Sequence, residues 1–288
     1  RQVKDVFTHL EKYNYEHIFI DNSSTDSTEG ILRKLASNDE NVKVILNTRN
    51  FGHIRSPYYA MLQARGDAVI SVVSDLQDPP HLIKDFLRKW EDGYKVVVGL
   101  KKKSREFFIK FRLRQLYYKI LDRLSETKMI NDFTGFGLYD RKVIDALQEL
   151  NDPYPFFRGL VAELGFEYAQ IEYDQPIREK GSSKNNLYTL YDMAILGIVN
   201  HSKVPLRMAT MLGFFLSALS FLVSVFYFTY KIYYWESFEV GIAPVVIGLF
   251  FFASVQLLFI GVLGEYVGLI YTQVLQRPLV IEKERINF

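Results

Sequence analysis

The chain has 288 residues, a net charge of +2 and 15% aromatic residues. It contains no cysteine, which excludes both disulfide bonds and thiolate metal sites. Charged and apolar residues are mixed from residue 1 to about residue 200, as in a soluble domain, whereas the last third contains two long apolar runs. These features predict a soluble domain joined to membrane helices, and no nucleic acid is expected among its partners.

The first 100 residues predict alternating helices and strands. A helix opens the chain, so a strand is expected to precede it. Strands are then expected at residues 15–20, 41–47, 67–74 and 95–100, and helices at residues 27–37, 55–65 and 80–93. Repeated strand–helix units of this length favour a mostly parallel sheet with right-handed crossovers.

Asp21 directly follows the first apolar strand, in the sequence IDNSSTDST. A calcium-binding EF-hand loop is excluded, because Asp26 stands where the invariant glycine belongs and Leu32 where the bidentate glutamate belongs. Asp26 and Glu29 have the spacing of a capping box for the next helix. Capping does not account for Asp21, which is therefore a candidate ligand-binding residue.

The third strand ends in the sequence SDLQDPP, which carries a second polar cluster. Asp78 fits the N-cap of the next helix, with Pro79 at the first helical position. Asp75 and Gln77 are not needed for a cap, and ligands bind outside the carboxyl ends of the strands in open α/β sheets. We therefore expect Asp21 and Asp75 to share one crevice. From the residues alone, Asp75 is either a ligand of a divalent cation that carries a phosphorylated substrate or an ordinary loop residue.

Two apolar runs without charged residues, 208–230 and 240–264, predict two transmembrane helices. Each run exceeds the roughly 20 residues that cross a ~30 Å hydrocarbon layer as a helix. The alternative is two buried helices of a large soluble core, which the lack of a polar face disfavours.

Basic residues predict the orientation of these spans. The connecting loop has only Lys231 against Glu236 and Glu239, whereas the outer flanks carry Lys203, Arg207, Arg277, Lys283 and Arg285. The positive-inside rule places both outer ends and the soluble domain in the cytoplasm. Glu265 is expected near the cytoplasmic end of the second span, where it either reaches the interface or contacts a polar lipid headgroup.

Five segments carry a resemblance in this order: IDNSSTDST, NTRNFGH, SDLQDPP, NDFTGFGLYDR and REKGSSK. With the two apolar runs that follow, they resemble the inverting family-2 glycosyltransferases. More narrowly, they resemble the polyprenyl-phosphate hexosyltransferases, which include the bactoprenol glucosyltransferases and dolichol-phosphate mannose synthase. The resemblance covers essentially the whole chain. It implies an α/β, Rossmann-like GT-A fold with a mostly parallel sheet, followed by amphipathic interfacial helices and two transmembrane helices.

The resemblance implies that acidic residues hold the donor. Asp21 matches the acid that binds the nucleoside, with Asn22 in place of a second acid. Asp75 matches the last acid of a D-x-D motif that binds Mg²⁺ or Mn²⁺ on the donor pyrophosphate. The first acid of that motif is replaced by Val73. The metal ligands implied are Asp75 together with Gln77, Asp78 or water.

Asp132 occupies the position of the family's catalytic carboxylate, and Asp75 is expected to assist the reaction through the metal. Without the resemblance, Asp132 is a loop residue that bonds its own backbone. A phosphate monoester is mostly ionised at pH 7, since its second pKa is about 6. Three roles therefore stay open for Asp132: base, orientation of the acceptor phosphate, and stabilisation of positive charge at the sugar carbon.

Basic residues are implied to contact the phosphates. Arg105 resembles the arginine that approaches the acceptor phosphate, and Arg49 is assigned to the nucleotide sugar. Arg178, Ser183 and Lys184 resemble a mobile loop over the donor phosphates, with Arg178 and Lys184 also near the acceptor phosphate. The alternative for both basic segments is membrane anchoring only.

The implied function is inverting transfer of a hexose, glucose from UDP-glucose first, to undecaprenyl or another polyprenyl phosphate for cell-envelope glycosylation. The expected parts are a cytoplasmic catalytic domain at 1–185, an amphipathic interfacial helix at 186–205, spans at 206–231 and 240–272, and a cytoplasmic tail at 273–288. A homo-oligomer in a bacterial inner membrane is expected. The alternatives are GDP-mannose or a modified UDP-sugar as donor, and a catalytically idle membrane scaffold that binds nucleotide sugar.

Overall fold

The computed structural model describes residues 2–75, 77–103, 129–130, 133–176, 195, 197, 199, 202–234 and 242–288. Helices and strands alternate at the start of the chain, as the sequence predicts. In chain order they are α1 (Gln2–Phe7), β1 (His17–Asp21), α2 (Thr28–Asn38), β2 (Val42–Asn47), α3 (Gly52–Gln63), β3 (Ala68–Ser71), a 3₁₀ turn (Pro80–Leu82), α4 (Ile83–Glu91) and β4 (Val96–Lys103).

The later elements complete the domain and add two long helices. They are β5 (Phe133–Asp140), α5 (Arg141–Leu150), α6 (Phe157–Glu163), β6 (Tyr168–Asp174), α7 (Val204–Tyr233), α8 (Ile242–Leu275) and β7 (Glu282–Ile286). β3 ends at Ser71, earlier than the predicted residue 74, because Val73 lies in the following loop with its side chain exposed.

The described strands form two sheets, one in the order β1-β2-β7 and one in the order β3-β5-β4-β6. The pairs β1–β2 and β4–β6 are parallel. The pairs β2–β7, β3–β5 and β4–β5 are antiparallel. The α/β class is confirmed. The sheets are mixed rather than mostly parallel, because β5 and β7 run antiparallel to the strands beside them.

The four-stranded sheet is buried on both faces, because successive side chains of a strand point to opposite sides. Val96 and Val98 of β4 pack on one side with Ile144 of α5. Val97 of the same strand packs on the other side with Phe86 of α4. This two-sided core holds the ends of β3 and β5, where several predicted site residues lie, on a rigid support.

β7 returns the end of the chain to the first sheet, where the sequence predicts only a tail. The backbone N–H and the hydroxyl of Thr48 both donate to the carbonyl of Ile281, at 3.0 and 3.1 Å. The amide of Asn287 donates to the carbonyls of Ala36 and Val42, at 2.7 and 2.9 Å. The chain that leaves α8 is thereby attached to α2, to the start of β2 and to the loop that follows β2.

Two helices among the described residues are long and apolar enough to cross a membrane, over Val204–Tyr230 and Phe251–Leu275. Neither span is buried within the protein. They are therefore not core helices of a soluble fold, since such helices are covered on all sides. The second span lies further along the chain than the apolar run at 240–264.

Candidate functional site

The end of β1 presents Asp21, an acidic residue whose side chain is buried. Its carboxylate accepts hydrogen bonds from the backbone N–H and the hydroxyl of Ser24. This local turn orients the carboxylate without using all of its acceptor positions, because an ionised carboxyl accepts about four hydrogen bonds. Asp21 is therefore held in place and keeps acceptor capacity for a ligand.

Asn22 connects the loop after β1 to the start of α3. Its Nδ2 donates to the carbonyl of Gly52 at 2.9 Å, and its Oδ1 accepts from the N–H of Phe51 at 2.8 Å. The Oδ1 also accepts from Nδ2 of Asn47 at 3.2 Å. These bonds give Asn22 a structural role, and its predicted contact with the nucleoside stays a prediction.

Sequence reasoning missed Asn47 and Ser56, which extend the Asn22 contacts into the domain. Asn47 ends β2 and is 2% exposed, and its Nδ2 also donates to the Ser56 hydroxyl of α3 at 3.0 Å. A polar residue at the end of an apolar strand is the signal that identifies it in the sequence. The Asn47–Ser56 hydrogen bond links the end of β2 to α3 and thereby holds the loop at residues 48–51 between them.

Arg49 lies in this loop and is exposed. Its guanidinium carbon is 4.0 Å from the centroid of the Phe51 ring, and its Nη1 donates to the Asn50 carbonyl at 3.1 Å. Stacking on an aromatic ring orients the guanidinium and leaves other N–H donors for an anion. This geometry is compatible with the predicted contact to the nucleotide sugar.

Asp75 lies in the loop after β3, where its Oδ1 accepts the backbone N–H of Gln77 at 3.1 Å. The side chain is half-buried. β1 and β3 belong to different sheets, so strand pairing does not set the separation of Asp21 and Asp75. Their shared crevice stays a prediction.

Asp78 is buried, and it fastens the Asp75 loop to β6. Its carboxylate accepts from the Tyr173 hydroxyl at 3.0 Å and from the Val73 N–H at 3.4 Å. The predicted N-cap role is wrong, because Pro79 precedes the 3₁₀ turn and no side chain caps it. The carboxylate is instead bonded to the Tyr173 hydroxyl and to the backbone N–H of Val73.

Burial raises the pKa of Asp78 above its ordinary value, although the bonds from Tyr173 and Val73 oppose the increase. The neighbouring Asp75 carboxylate raises the pKa further. A raised pKa makes a carboxyl a weaker metal ligand, because metal binding needs the ionised group in contact with the ion. Of the two acids, Asp75 is better placed to hold a cation.

The capping box predicted before α2 is formed only in part: the Asp26 carboxylate accepts the backbone N–H of Thr28, the first residue of α2, at 3.0 Å. The N-cap residue is Ser27, and it makes no side-chain capping bond. Glu29 instead accepts from Arg33 and from Lys283 of β7. The second acid of the motif therefore helps to hold the C-terminal strand.

The glycines of the sequence NDFTGFGLYDR have structural roles in β5. Gly135 has φ of +102°, a conformation that favours glycine. A Cβ at Gly137 would lie inside van der Waals contact with the Val97 carbonyl of the neighbouring strand. Asp132 immediately precedes β5 and lies outside the described residues, as do Arg105, Arg178, Ser183 and Lys184.

Comparison with known proteins covers both the domain and the long helices. Residues 1–148 match the family described as "Glycosyl transferase family 2". The chain is 35% identical over 271 residues to the "Uncharacterized glycosyltransferase YkcC" of Bacillus subtilis, covering 94% of this chain and 84% of that protein. It is 33% identical over 279 residues to the "SfII prophage-derived bactoprenol glucosyl transferase" of Shigella flexneri, covering 96% of this chain and 90% of that protein.

Proposed function

We propose that this chain, which belongs to glycosyl transferase family 2, transfers a hexose from a nucleotide sugar to the phosphate of a polyprenyl lipid. UDP-glucose is the first donor to test and undecaprenyl phosphate the first acceptor. Family membership makes the chain a glycosyltransferase. The identities of the lipid acceptor and of the sugar are proposals.

One observation carries the proposal. The similarity to a protein named bactoprenol glucosyl transferase spans 96% of this chain, including the two apolar helices as well as the catalytic domain. The two helices are exposed along their spans, so they are suited to lipid contact. A glycosyltransferase joined to such helices acts close to a lipid-borne acceptor.

The proposed reaction is a single displacement at the anomeric carbon of the sugar. An oxygen of the polyprenyl phosphate forms the new bond to that carbon, the bond to the donor diphosphate breaks, and the nucleoside diphosphate leaves. The configuration inverts from α to β. The acceptor phosphate is mostly ionised at pH 7, so the step does not require a side chain to remove a proton first.

Asp21 would orient the donor nucleoside, since the Ser24 turn already holds its carboxylate at the end of β1. Arg49 would contact the donor phosphates from the neighbouring loop. Asp132 would act at the reaction centre by orienting the acceptor phosphate or by stabilising positive charge on the sugar carbon. Arg105 and the segment with Arg178 would bind the acceptor phosphate.

The metal proposal rests on Asp75. Within the described residues, no three His, Asp or Glu side chains lie close enough to hold a metal by themselves. Mg²⁺ and Mn²⁺ are commonly held by one or two carboxylates together with substrate phosphates, and Asp75 would supply one such carboxylate. When bound, the cation supplies positive charge that neutralises the leaving diphosphate. Val73 supplies no oxygen ligand, so weak metal affinity in the absence of donor is expected.

We place the catalytic domain, residues 1–185, and both outer ends of the helix pair in the cytoplasm. Support comes from the basic residues that flank the pair, compared with the single Lys231 between the spans. The attachment of β7 to β2 requires residues 282–286 to lie on the same side as the catalytic domain.

The test uses the full chain in nanodiscs with undecaprenyl phosphate and Mg²⁺ or Mn²⁺. UDP-glucose, UDP-galactose, UDP-N-acetylglucosamine and GDP-mannose are supplied separately, and the glycolipid is measured by mass spectrometry. We expect product from one donor, loss of product with EDTA, and a decrease of at least about 100-fold in Asp75→Asn and Asp132→Asn. A partly exposed acid on α4 supplies the matched control, Asp85→Asn, which should keep wild-type activity.

Two results would contradict the proposal. Turnover onto a soluble acceptor without use of the lipid would exclude the polyprenyl phosphate. Unchanged activity of Asp75→Asn would exclude the metal role of that residue while leaving the donor and acceptor in place.

A further inference from the structure

The cytoplasmic end of α8 packs directly on the catalytic domain. Leu269 packs against the cluster formed by Met129 and Phe156, and the Gln273 amide donates to the Asp152 carboxylate at 3.1 Å. Beside these contacts is a cavity of about 490 Å³ between α8 and the domain, which we call the junction pocket. Its volume lies within the ~300–1,000 Å³ of ordinary small-molecule sites.

Arg55 of α3 supplies the positive charge of the junction pocket. One face of its guanidinium is covered by Tyr154, with 5.2 Å from the guanidinium carbon to the ring centroid. Its Nε is buried and has no hydrogen-bond acceptor among the described residues. The side chain as a whole is only partly buried, so the terminal N–H groups of the guanidinium are the donors that a ligand in the pocket would meet.

Glu265 of α8 supplies a negative charge to the same pocket. No ion pair within 4 Å joins it to Arg55 or to another residue that the structure describes. Two opposite charges that line one cavity without forming an ion pair favour a ligand that carries both a negative and a positive charge. A phosphate dianion is a poor match, because the carboxylate would repel it and a single arginine would not balance its charge.

The helix face around Glu265 is open. Gly261, Gly264 and Gly268 line the pocket and leave that part of the α8 surface without side chains. An acyl or glycerol segment attached to a headgroup can therefore approach the α8 backbone. Glu265 follows the apolar run at 240–264, and Leu269, one turn further along α8, already packs on the catalytic domain. The pocket therefore lies where α8 meets the domain, and we place it at the depth of lipid headgroups.

We propose that the junction pocket binds the headgroup of a zwitterionic phospholipid that carries a primary ammonium, such as phosphatidylethanolamine. Its phosphate accepts hydrogen bonds from Arg55, and its ammonium donates to Glu265. The bound lipid completes the contact between α8 and the catalytic domain. Neither Asp21 nor Asp75 lines this pocket.

The experiment measures lipid binding to the purified full chain in detergent by native mass spectrometry. Phosphatidylethanolamine and phosphatidylcholine with identical acyl chains are compared, because the quaternary ammonium of the latter has no N–H to donate. We expect about tenfold tighter binding of phosphatidylethanolamine, the effect of one charge-assisted hydrogen bond. Glu265→Gln should remove that preference without changing phosphatidylcholine binding.

Arg55→Gln should weaken both lipids, whereas the matched variant of an exposed arginine just beyond α8, Arg277→Gln, should weaken neither. Equal binding of the two lipids to the wild-type chain would overturn the proposal. This comparison uses only the wild-type chain, so it does not depend on whether a variant folds. Undecaprenyl phosphate that displaces phosphatidylethanolamine and loses affinity in Arg55→Gln would assign the pocket to the acceptor instead, which also overturns it.

Discussion

Asn22 donates a hydrogen bond from its side-chain amide to the carbonyl of Gly52 at 2.9 Å, a bond that a carboxylate cannot make. The oxygen of the same amide accepts the N–H of Phe51, so one side chain holds two successive residues where α3 begins. The residue that departs from the family's acidic pattern therefore stabilises the loop that carries Arg49.

The first prediction concerns this bond. Asn22→Asp keeps the shape of the side chain, removes the donor and places negative charge beside the Gly52 carbonyl. We expect a loss of about 1–3 kcal/mol in the free energy of unfolding and a higher KM for the nucleotide sugar. Thermal unfolding and donor titrations measure the two effects. The exposed Asn38→Asp is the control, and equal behaviour of the two variants would show that the loop does not depend on Asn22.

The second prediction concerns the pH dependence of stability, through Asp78. Its pKa is raised in the folded protein, whereas the unfolded chain keeps the ordinary value of about 3.9. As pH rises above about 4, the unfolded state loses this proton first, so stability falls until the pH passes the raised folded pKa, and the penalty then stays constant. Chemical unfolding between pH 4 and pH 8 should show this decrease in the wild-type chain and a smaller decrease in Asp78→Asn. Asp85→Asn is the reference variant. If the free energy of unfolding changes with pH equally in the wild-type chain and in Asp78→Asn, ionisation of Asp78 does not destabilise the folded protein.

The third prediction compares two glycines. A Cβ at Gly137 would overlap the Val97 carbonyl, so Gly137→Ala forces β4 and β5 apart and should cost about 1–3 kcal/mol or more. Gly30 lies within α2 with open space around it, so Gly30→Ala should stabilise the chain by up to about 1 kcal/mol. Thermal unfolding of both variants gives opposite signs. A stable Gly137→Ala protein would contradict the close approach of the two strands.

The fourth prediction concerns the end of the chain. Asn287→Asp removes the donors to the Ala36 and Val42 carbonyls at nearly constant shape. We expect a loss of about 1–3 kcal/mol and faster amide hydrogen exchange in β2 and β7, because both elements lose a shared anchor. Exchange that rises in β7 alone would show that β2 does not depend on the C-terminal strand.

Several features are readable from the sequence because they depend on local order. The strands and helices of the first 100 residues follow apolar periodicity, and the two membrane-length helices follow from uninterrupted apolar runs. The ordered motifs also identify the family, because each motif is a contiguous segment whose residue types are read directly from the sequence. Asp21 and Asp75 are recognisable for the same reason, since Asp21 ends the apolar strand β1 and Asp75 lies in the loop shortly after β3.

Other features depend on residues far apart in the chain. Asp78 looks like a helix cap in its own segment, and only the packing of β6 brings Tyr173 to it. The pairing of residues 282–286 with β2, and the approach of Arg55 to Glu265 around one cavity, each join positions separated by more than 200 residues. Local sequence determined the elements and the chemical class of this protein. Tertiary structure decided which polar groups meet, because burial and partner geometry, rather than residue type, select among the bonds that each side chain is able to make.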